Sequence, residues 1–375
     1  MCHILGGREW YLIFLYLKAL NRRQTSDSEL QRVMDVAISL ALGLPKQRSI
    51  EHGMFFARDF SSSLNARDRK IVCVTSGNSY FGSQLIMKLL ACGCLVRVII
   101  ENQANLEDME ELIREEMKQL ESIVVARMDD LDGLCNAFRG CHVVFHTSSF
   151  IDPRGISGYT ERMAFLEAEA AKNVIEACGR AAFVKRCIFT SSLLACIWKG
   201  NDLPNLIDET SWSDEAFCRE NKLWLALAKT SAEQAAWRKA REMRVKLVTL
   251  CPGLLMAPSF PDAHLETSLP YLKGGDLMLR QGILATEDVS KVAEAHVYVY
   301  EDMDYGACGR YICFGKIVGT LEEAIQLENG LNMHGQLSGN QTPLPVAADN
   351  DPRITKSKLS RLLFRASQRL SCKQQ

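Results

Sequence analysis

The sequence contains no CxxC pair, no apolar run long enough to cross a bilayer and almost no net charge. Its fourteen cysteines are scattered singly, as at Cys73, Cys141, Cys178, Cys187 and Cys251, and only Cys92 and Cys94 lie close together. That spacing offers no paired-cysteine zinc site, and the thiols read as reduced and mostly buried, as expected of a cytoplasmic protein. Trp10 to Leu17 (WYLIFLYL) is an apolar run of eight residues, whereas a spanning helix needs about twenty. Arg8 before it is cancelled by Glu9, and no convincing small-residue cleavage site follows. A net charge of −1 gives no reason to expect nucleic acid or an anionic membrane as partner. No internal repeat or low-complexity tract precedes the C-terminal tail.

What is present is centred on residues 70–101, KIVCVTSGNSYFGSQLIMKLLACGCLVRVIIE. The β-branched run Ile71 to Val74 reads as a buried strand and is followed by a turn. Phe81, Leu85, Ile86, Leu89 and Leu90 then recur at helical spacing, and Cys94 to Ile100 reads as a second buried strand. Such a βαβ unit places a dinucleotide pyrophosphate on the helix N-terminus, around Thr75, Gly77, Ser79, Tyr80, Phe81 and Gly82. Glu101 stands nineteen residues after Gly82, where a carboxylate can accept from the adenosine ribose hydroxyl. In the pattern TGxxGxxG, however, only Thr75 and Gly82 fit. Ser76 and Ser79 occupy the first two glycine positions, and Gly77 comes one place late. A side chain forced to positive φ costs about 1–2 kcal/mol, so weakened binding is expected, and an ordinary turn without ligand is the alternative.

The alternation continues through a charged helix at 105–120, a strand at Ser122 to Met128, a helix at Leu134 to Phe138 and a strand at His142 to Thr147. A helix at Tyr159 to Cys178, a strand at Val184 to Thr190, a helix at Trp224 to Ala240 and a strand at Val245 to Cys251 follow. This order predicts an α/β fold, a doubly wound parallel sheet of Rossmann type, with ligands outside the carboxyl ends of its strands. Residues 70–335 are expected to form this domain, with a small substrate lobe over 254–320. Residues 1–69 are expected to be a helical or partly disordered extension, and 336–375 a polar linker and basic tail.

The segments VCVTSGNSYFG, GCHVVFHTSSFIDP, KRCIFTSSLLACIW, KLWLALAKTSAEQAAW, LVTLCPGLLMAP and LATEDVSKVAEAHV resemble, in order and spacing, the blocks of extended short-chain dehydrogenases/reductases. Within that family they resemble plant cinnamoyl-CoA and dihydroflavonol reductases, over about residues 70–365. The resemblance implies an NAD(P)-dependent oxidoreductase reducing a carbonyl of a phenylpropanoid-type substrate. It implies that Ser192 bonds the substrate carbonyl and that Lys229 holds the nicotinamide ribose. It further links Asn173 to the proton relay, Asp129 with Asp130 to the adenine end, Thr147 with Ser148 to the cofactor after the fourth strand, and Pro252 with Gly253 to the carboxamide.

One family residue is missing. The motif is YxxxK, and four residues before Lys229 stands Leu225, on the same helical face. Leucine has no proton to give, and no tyrosine occurs between Tyr159 and Tyr271. Impaired turnover is therefore expected, with a non-catalytic dinucleotide-binding or regulatory protein as the alternative. The family implies NADP, whereas the carboxylate of Glu101 repels a 2′-phosphate and favours NAD.

His146, inside its strand, reads as a core-edge histidine, and aspartates 129, 130 and 132 as a helix N-cap group rather than a metal site. Residues 266–320, including a helix at Asp288 to Val299 and a late strand at Gly309 to Phe314, are expected on the substrate side. The tail from Arg353 to Lys373 has seven Lys or Arg and no acid; a short helix at Leu359 to Leu363 followed by disorder is expected. The protein is expected to be a monomer or weak homodimer in the cytoplasm, with a small-molecule carbonyl substrate and neither nucleic acid nor membrane as partner.

Overall fold

The structure, a computed structural model, describes residues 70–147, 159–200, 206–257, 269–331, 337 and 353–372. The expectations for residues 1–69, Ser148 and the linker at 338–352 fall outside the described residues. In chain order the elements are β1 (Ile71–Thr75), α1 (Tyr80–Ala91), β2 (Leu95–Ile100), α2 (Asn105–Ile113), β3 (Ser122–Val125), α3 (Leu131–Ala137), β4 (Val143–His146), α4 (Glu161–Arg180) and β5 (Arg186–Thr190). They continue with α5 (Leu194–Ile197), α6 (Glu215–Glu220), α7 (Trp224–Met243), β6 (Lys246–Pro252), β7 (Leu254–Met256), α8 (Gly275–Arg280) and β8 (Ala285–Asp288). The last are α9 (Val289–Asp302), β9 (Gly309–Cys313), β10 (Lys316–Ile317), α10 (Leu321–Gly330) and α11 (Ser357–Cys372).

Seven strands form one parallel sheet in the order β3-β2-β1-β4-β5-β6-β9. The period of two along β1 explains how it is covered on both faces. Val72 and Val74 enter the core beneath α1, α2 and α9, while Cys73 enters the opposite core with α3, α4 and α7. The order reverses between β1 and β4, where a doubly wound sheet opens a crevice at its carboxyl edge. β7, β8 and β10 make a separate small sheet.

The predicted strands and helices are present, except that the helix expected at 105–120 ends at Ile113 and a separate 3-10 turn spans Glu116–Gln119; some helix starts are set by capping. α4 starts at Glu161 rather than Tyr159 because the Thr160 hydroxyl accepts from the Met163 amide at 3.3 Å, a standard N-cap. Asp130 caps α3 in the same way, accepting from Gly133 N at 3.0 Å. Among the three clustered aspartates the cap is therefore Asp130, and its carboxylate serves the helix.

Two expectations are corrected. The substrate lobe does not run continuously to residue 320. β9 is the seventh strand of the main sheet, paired in parallel with β6 from Val248↔Gly309 to Pro252↔Cys313, and α9 covers the same sheet beside α1, with the His296 ring against Phe81. The tail is also not a short helix followed by disorder. α11 runs to Cys372, and Leu359, Leu362 and Ala366 are buried at i, i+3 and i+7, one helical stripe. Its Lys358 ammonium donates to the carbonyls of Cys308 (2.7 Å) and Arg310 (2.8 Å), and Arg369 pairs with the buried Asp302 of α9. Apolar contact and opposite charge together hold a basic tail that composition alone assigned to solvent.

Candidate active site

The crevice begins at the ends of β1 and β4. Thr147 N donates to Thr75 Oγ1 at 3.0 Å, and the Thr147 hydroxyl donates back to the Thr75 carbonyl, fastening the two strand ends together. His146 Nδ1 lies 3.2 Å from Thr75 Oγ1, and its ring packs against Phe189. Burial, reinforced by the charge of Lys229, depresses this imidazole to about 3. His146 is thus neutral near neutral pH, a buried strut rather than a proton carrier.

The turn after β1 keeps the backbone that its missing glycines would have favoured. Ser76 sits at φ +55°, in the left-handed region that is costly for any residue with a Cβ. Gly77 packs on β2, where an added Cβ would stand 2.1 Å from Val98 Cγ1. Gly82 closes against the turn, its would-be Cβ 2.3 Å from the Ser76 carbonyl oxygen. The Ser79 hydroxyl accepts from Gly82 N and donates to Ser76 O, both at 2.9 Å, capping α1. Tyr80 is half-buried at the helix start, whereas Phe81 turns inward to the core.

Glu101 directly follows β2, next to the end of β3. Solvent reaches its side chain, but the packed strand end strips part of its hydration and raises the carboxyl above the usual glutamate range; Arg127 opposes the shift and Asp129 adds to it. Arg127 grips Asp129 through two bonds of 2.9 and 2.7 Å. Asp129 is therefore occupied by an arginine whose charge also faces Glu101.

Ser192 lies just past β5. Its oxygen accepts from Leu194 N at 3.2 Å, which leaves the hydroxyl proton to donate. Leu193 N binds the Pro252 carbonyl at 2.7 Å, and Gly253 N binds Cys313 O at 2.9 Å. A Cβ on Gly253 would meet the Ala285 carbonyl oxygen at 2.6 Å, so glycine is needed there to seat β7 on β8. Beneath Ser191 lies a buried ion pair. Glu233 of α7 holds Arg310 of β9 at 2.9 and 3.1 Å and accepts from Ser191 (2.7 Å) and Thr249 (2.5 Å). The Trp212 ring covers the guanidinium at 3.7 Å.

Leu225 and Lys229 stand one turn apart on α7, Leu225 half-buried against the substrate-side core. Lys229 Nζ donates to Glu167 Oε1 of α4 at 2.5 Å, and the Tyr159 hydroxyl, just before that helix, donates to Glu167 Oε2 at 2.5 Å. Sequence reading missed Glu167, although a signal existed: it shares the buried stripe of Ala164, Ala171, Val174 and Cys178, where an acid needs a partner. Asn173, expected in the proton relay, instead donates to the Met128 carbonyl at 3.1 Å and ties α4 to the segment after β3. Six residues beyond Glu167, it points about one-third of a turn away round the helix.

The chain as a whole is similar to known proteins. The sequence pattern of the 3-beta hydroxysteroid dehydrogenase/isomerase family matches residues 73–249. Cinnamoyl-CoA reductase 1 of Petunia hybrida is 35% identical over 250 residues, which cover 65% of this chain and 72% of that protein. The chain belongs to the extended short-chain dehydrogenases/reductases, in their cinnamoyl-CoA reductase-like group. Cinnamoyl-CoA reductase 2 of Arabidopsis thaliana is 36% identical over 251 residues, 65% of this chain and 73% of its own. The crystal structure of vestitone reductase from alfalfa superposes with a TM-score of 0.58 at 26% identity, covering 79% of this chain and 93% of that one. Among the described residues, no helix is long and apolar enough to cross a membrane, and no cluster of His, Cys, Asp or Glu is suited to a metal ion.

The dinucleotide implied by this family fits the turn as it stands. The left-handed Ser76 and the close approach of Gly82 preserve the turn's path, although Ser79 already engages one amide of the first helical turn. Thr75, Gly77, Ser79 and Tyr80 would line the pyrophosphate, Glu101 the ribose, and Thr147, Lys229 and Gly253 the nicotinamide end.

Proposed function

We propose that the protein is an NAD(P)-dependent reductase acting on a carbonyl of a phenylpropanoid-type substrate, slowed by leucine at position 225. The observation that carries this reading is the joint presence, around the β1/β4 crevice, of the cofactor turn, a proton-bearing Ser192 and a half-buried Lys229 paired with Glu167. A bound nicotinamide would supply the hydride. Ser192 would donate its hydroxyl proton to the carbonyl oxygen as a hydrogen bond, gathering charge there as the carbon is reduced. Lys229 would place a positive charge beside the same oxygen. The test is NAD(P)H consumption with a panel of hydroxycinnamoyl-CoA esters and aryl ketones. Ser192→Ala is expected to lower kcat by about 10²-fold or more, and absence of turnover with every member contradicts the reading.

The same reading favours NAD over NADP. A ribose 2′-hydroxyl can donate to Glu101, whereas a 2′-phosphate would be repelled by it. NADH is expected to bind tighter than NADPH, and Glu101→Arg to reverse that order by joining Arg127. Equal affinities in the unmodified protein would mean that Glu101 does not face the ribose. Ser76→Gly relieves a left-handed serine and clears the turn. Removing the side chain that crowds the pyrophosphate is expected to tighten NADH about 3–10-fold, roughly 1 kcal/mol, and the relieved strain to raise the melting temperature slightly; fluorescence titration and melting of the variant measure the two.

A second reading, a non-catalytic nucleotide-binding regulator, rests on Leu225 and on the two serines, Ser76 and Ser79, at glycine positions of the turn.

A further inference from the structure

Resting on the reductase reading, we propose that Glu233 and Arg310 are positioning residues for Ser192, a buried clamp that sets its hydroxyl against helix α7. The clamp brackets Ser192 in the chain. One residue before it, the Ser191 hydroxyl donates to Glu233 Oε2 at 2.7 Å; four residues after it, the Cys196 sulfur accepts from Arg310 Nη2 at 3.1 Å. The two ends are joined, because Arg310 Nε donates to Glu233 Oε1 at 2.9 Å and Nη2 to Oε2 at 3.1 Å. Glu233 follows Lys229 by four residues on α7, one turn along the same face. One carboxylate thus ties the strand end that carries Ser192 to the helix that carries Lys229.

The clamp is itself fixed from several sides. Thr249 of β6 donates to Glu233 Oε1 at 2.5 Å, and Arg310 Nη1 donates to the carbonyls of Glu209 (3.2 Å) and Ser211. A guanidinium has five N–H donors in a rigid plane. Here they reach Glu233 twice, Cys196, Glu209 and Ser211, while the Trp212 ring covers one face at 3.7 Å. A lysine has neither the reach nor the fixed directions to make all of these bonds at once.

Stability alone is a poor reason for such a pair, since apolar residues of matching volume often serve a core as well or better. What apolar groups lack is direction. A donor to a developing oxyanion must be held to within about 0.5 Å, and a displacement of about 1 Å can cost about 10²-fold in rate. Backbone bonds of 2.7 Å, from Ser191 N to the Leu250 carbonyl and from Leu193 N to the Pro252 carbonyl, fix Ser192 against β6. They do not fix it against α7, and that is the tie the clamp adds.

The test is a mutant cycle in kcat, run beside melting and the dissociation constant for NADH. Glu233→Gln keeps the shape and removes the charge; Ser191→Ala removes one bond of the clamp and is the variant that decides should Glu233→Gln not fold. Each is made alone and together with Ser192→Ala. Alone, Ser191→Ala is expected to lower kcat about 3–10-fold and Glu233→Gln about 10-fold or more, with NADH affinity within about 2-fold. Joined to Ser192→Ala, neither should lower kcat by more than about 2-fold further, because the hydroxyl they position is gone. Losses of melting temperature, in contrast, should appear in both backgrounds. Equal fractional losses of kcat with and without Ser192, or an unchanged kcat in the folded single variants, overturn the positioning role while the reductase reading stands. An unmodified protein that reduces no carbonyl overturns the reductase reading and the positioning role with it.

Discussion

Replacing Leu225 with tyrosine should raise carbonyl reduction by about 10²-fold. Leu225 and Lys229 share one face of α7, so a phenol at 225 would stand where the family keeps its acid. Tyrosine titrates near 10 in water, and a neighbouring ammonium draws it toward the working range. General acid catalysis is worth roughly 10²–10⁴-fold, and a gain at the lower end of that range is expected. The new ring would enter the substrate-side core where Leu225 packs, at a packing cost of roughly 1–3 kcal/mol, so melting must be followed beside turnover. NADH affinity should not change. A folded, nucleotide-binding Leu225→Tyr protein that is no faster on any substrate would favour the non-catalytic reading.

Arg310→Met should destabilise the protein by about 3–5 kcal/mol, the usual cost of stranding a buried charge. Glu233 is fully buried, and the guanidinium is its only cationic partner among the described residues. Methionine would leave the carboxylate with two hydroxyl donors, Ser191 and Thr249. The double variant Arg310→Met/Glu233→Gln should recover part of the loss, because a neutral amide has no charge to compensate. Urea unfolding of the three variants measures this coupling, and strictly additive losses would contradict it. Because Ser191 adjoins Ser192, Arg310→Met should also slow turnover beyond what its stability change explains.

The fold was largely legible because its signals are local. Buried parallel strands read as β-branched runs, and caps such as Thr160 and Asp130 mark where helices start. What escaped was long-range. Nothing within GRYIC tells that β9 pairs with β6 rather than with the small sheet, since strand partners are chosen by packing across the chain. The tail was misread from its charge, although its apolar positions 359, 362 and 366 already repeat at helical spacing. The site divided along the same line. Motif residues such as Thr75, Gly82, Ser192 and Lys229 stand on or beside the elements their segments predicted. So does Asn173, but its side chain bonds the Met128 carbonyl, because one helical position decides which side of α4 it faces. Glu167 and Arg310 lie in no quoted segment and Glu233 lies in one that assigns it no role, yet each is a charge on an otherwise apolar stripe, and that pattern marks a buried pair.

Everything proposed for the crevice depends on a dinucleotide entering it. Calorimetric titration of NADH and NADPH into the unmodified protein is therefore the most direct measurement. Binding of NADH at about micromolar strength, roughly −8 kcal/mol, with NADPH weaker, is the expected result. Heat of dilution alone for both nucleotides would contradict the reductase reading and the regulatory alternative together.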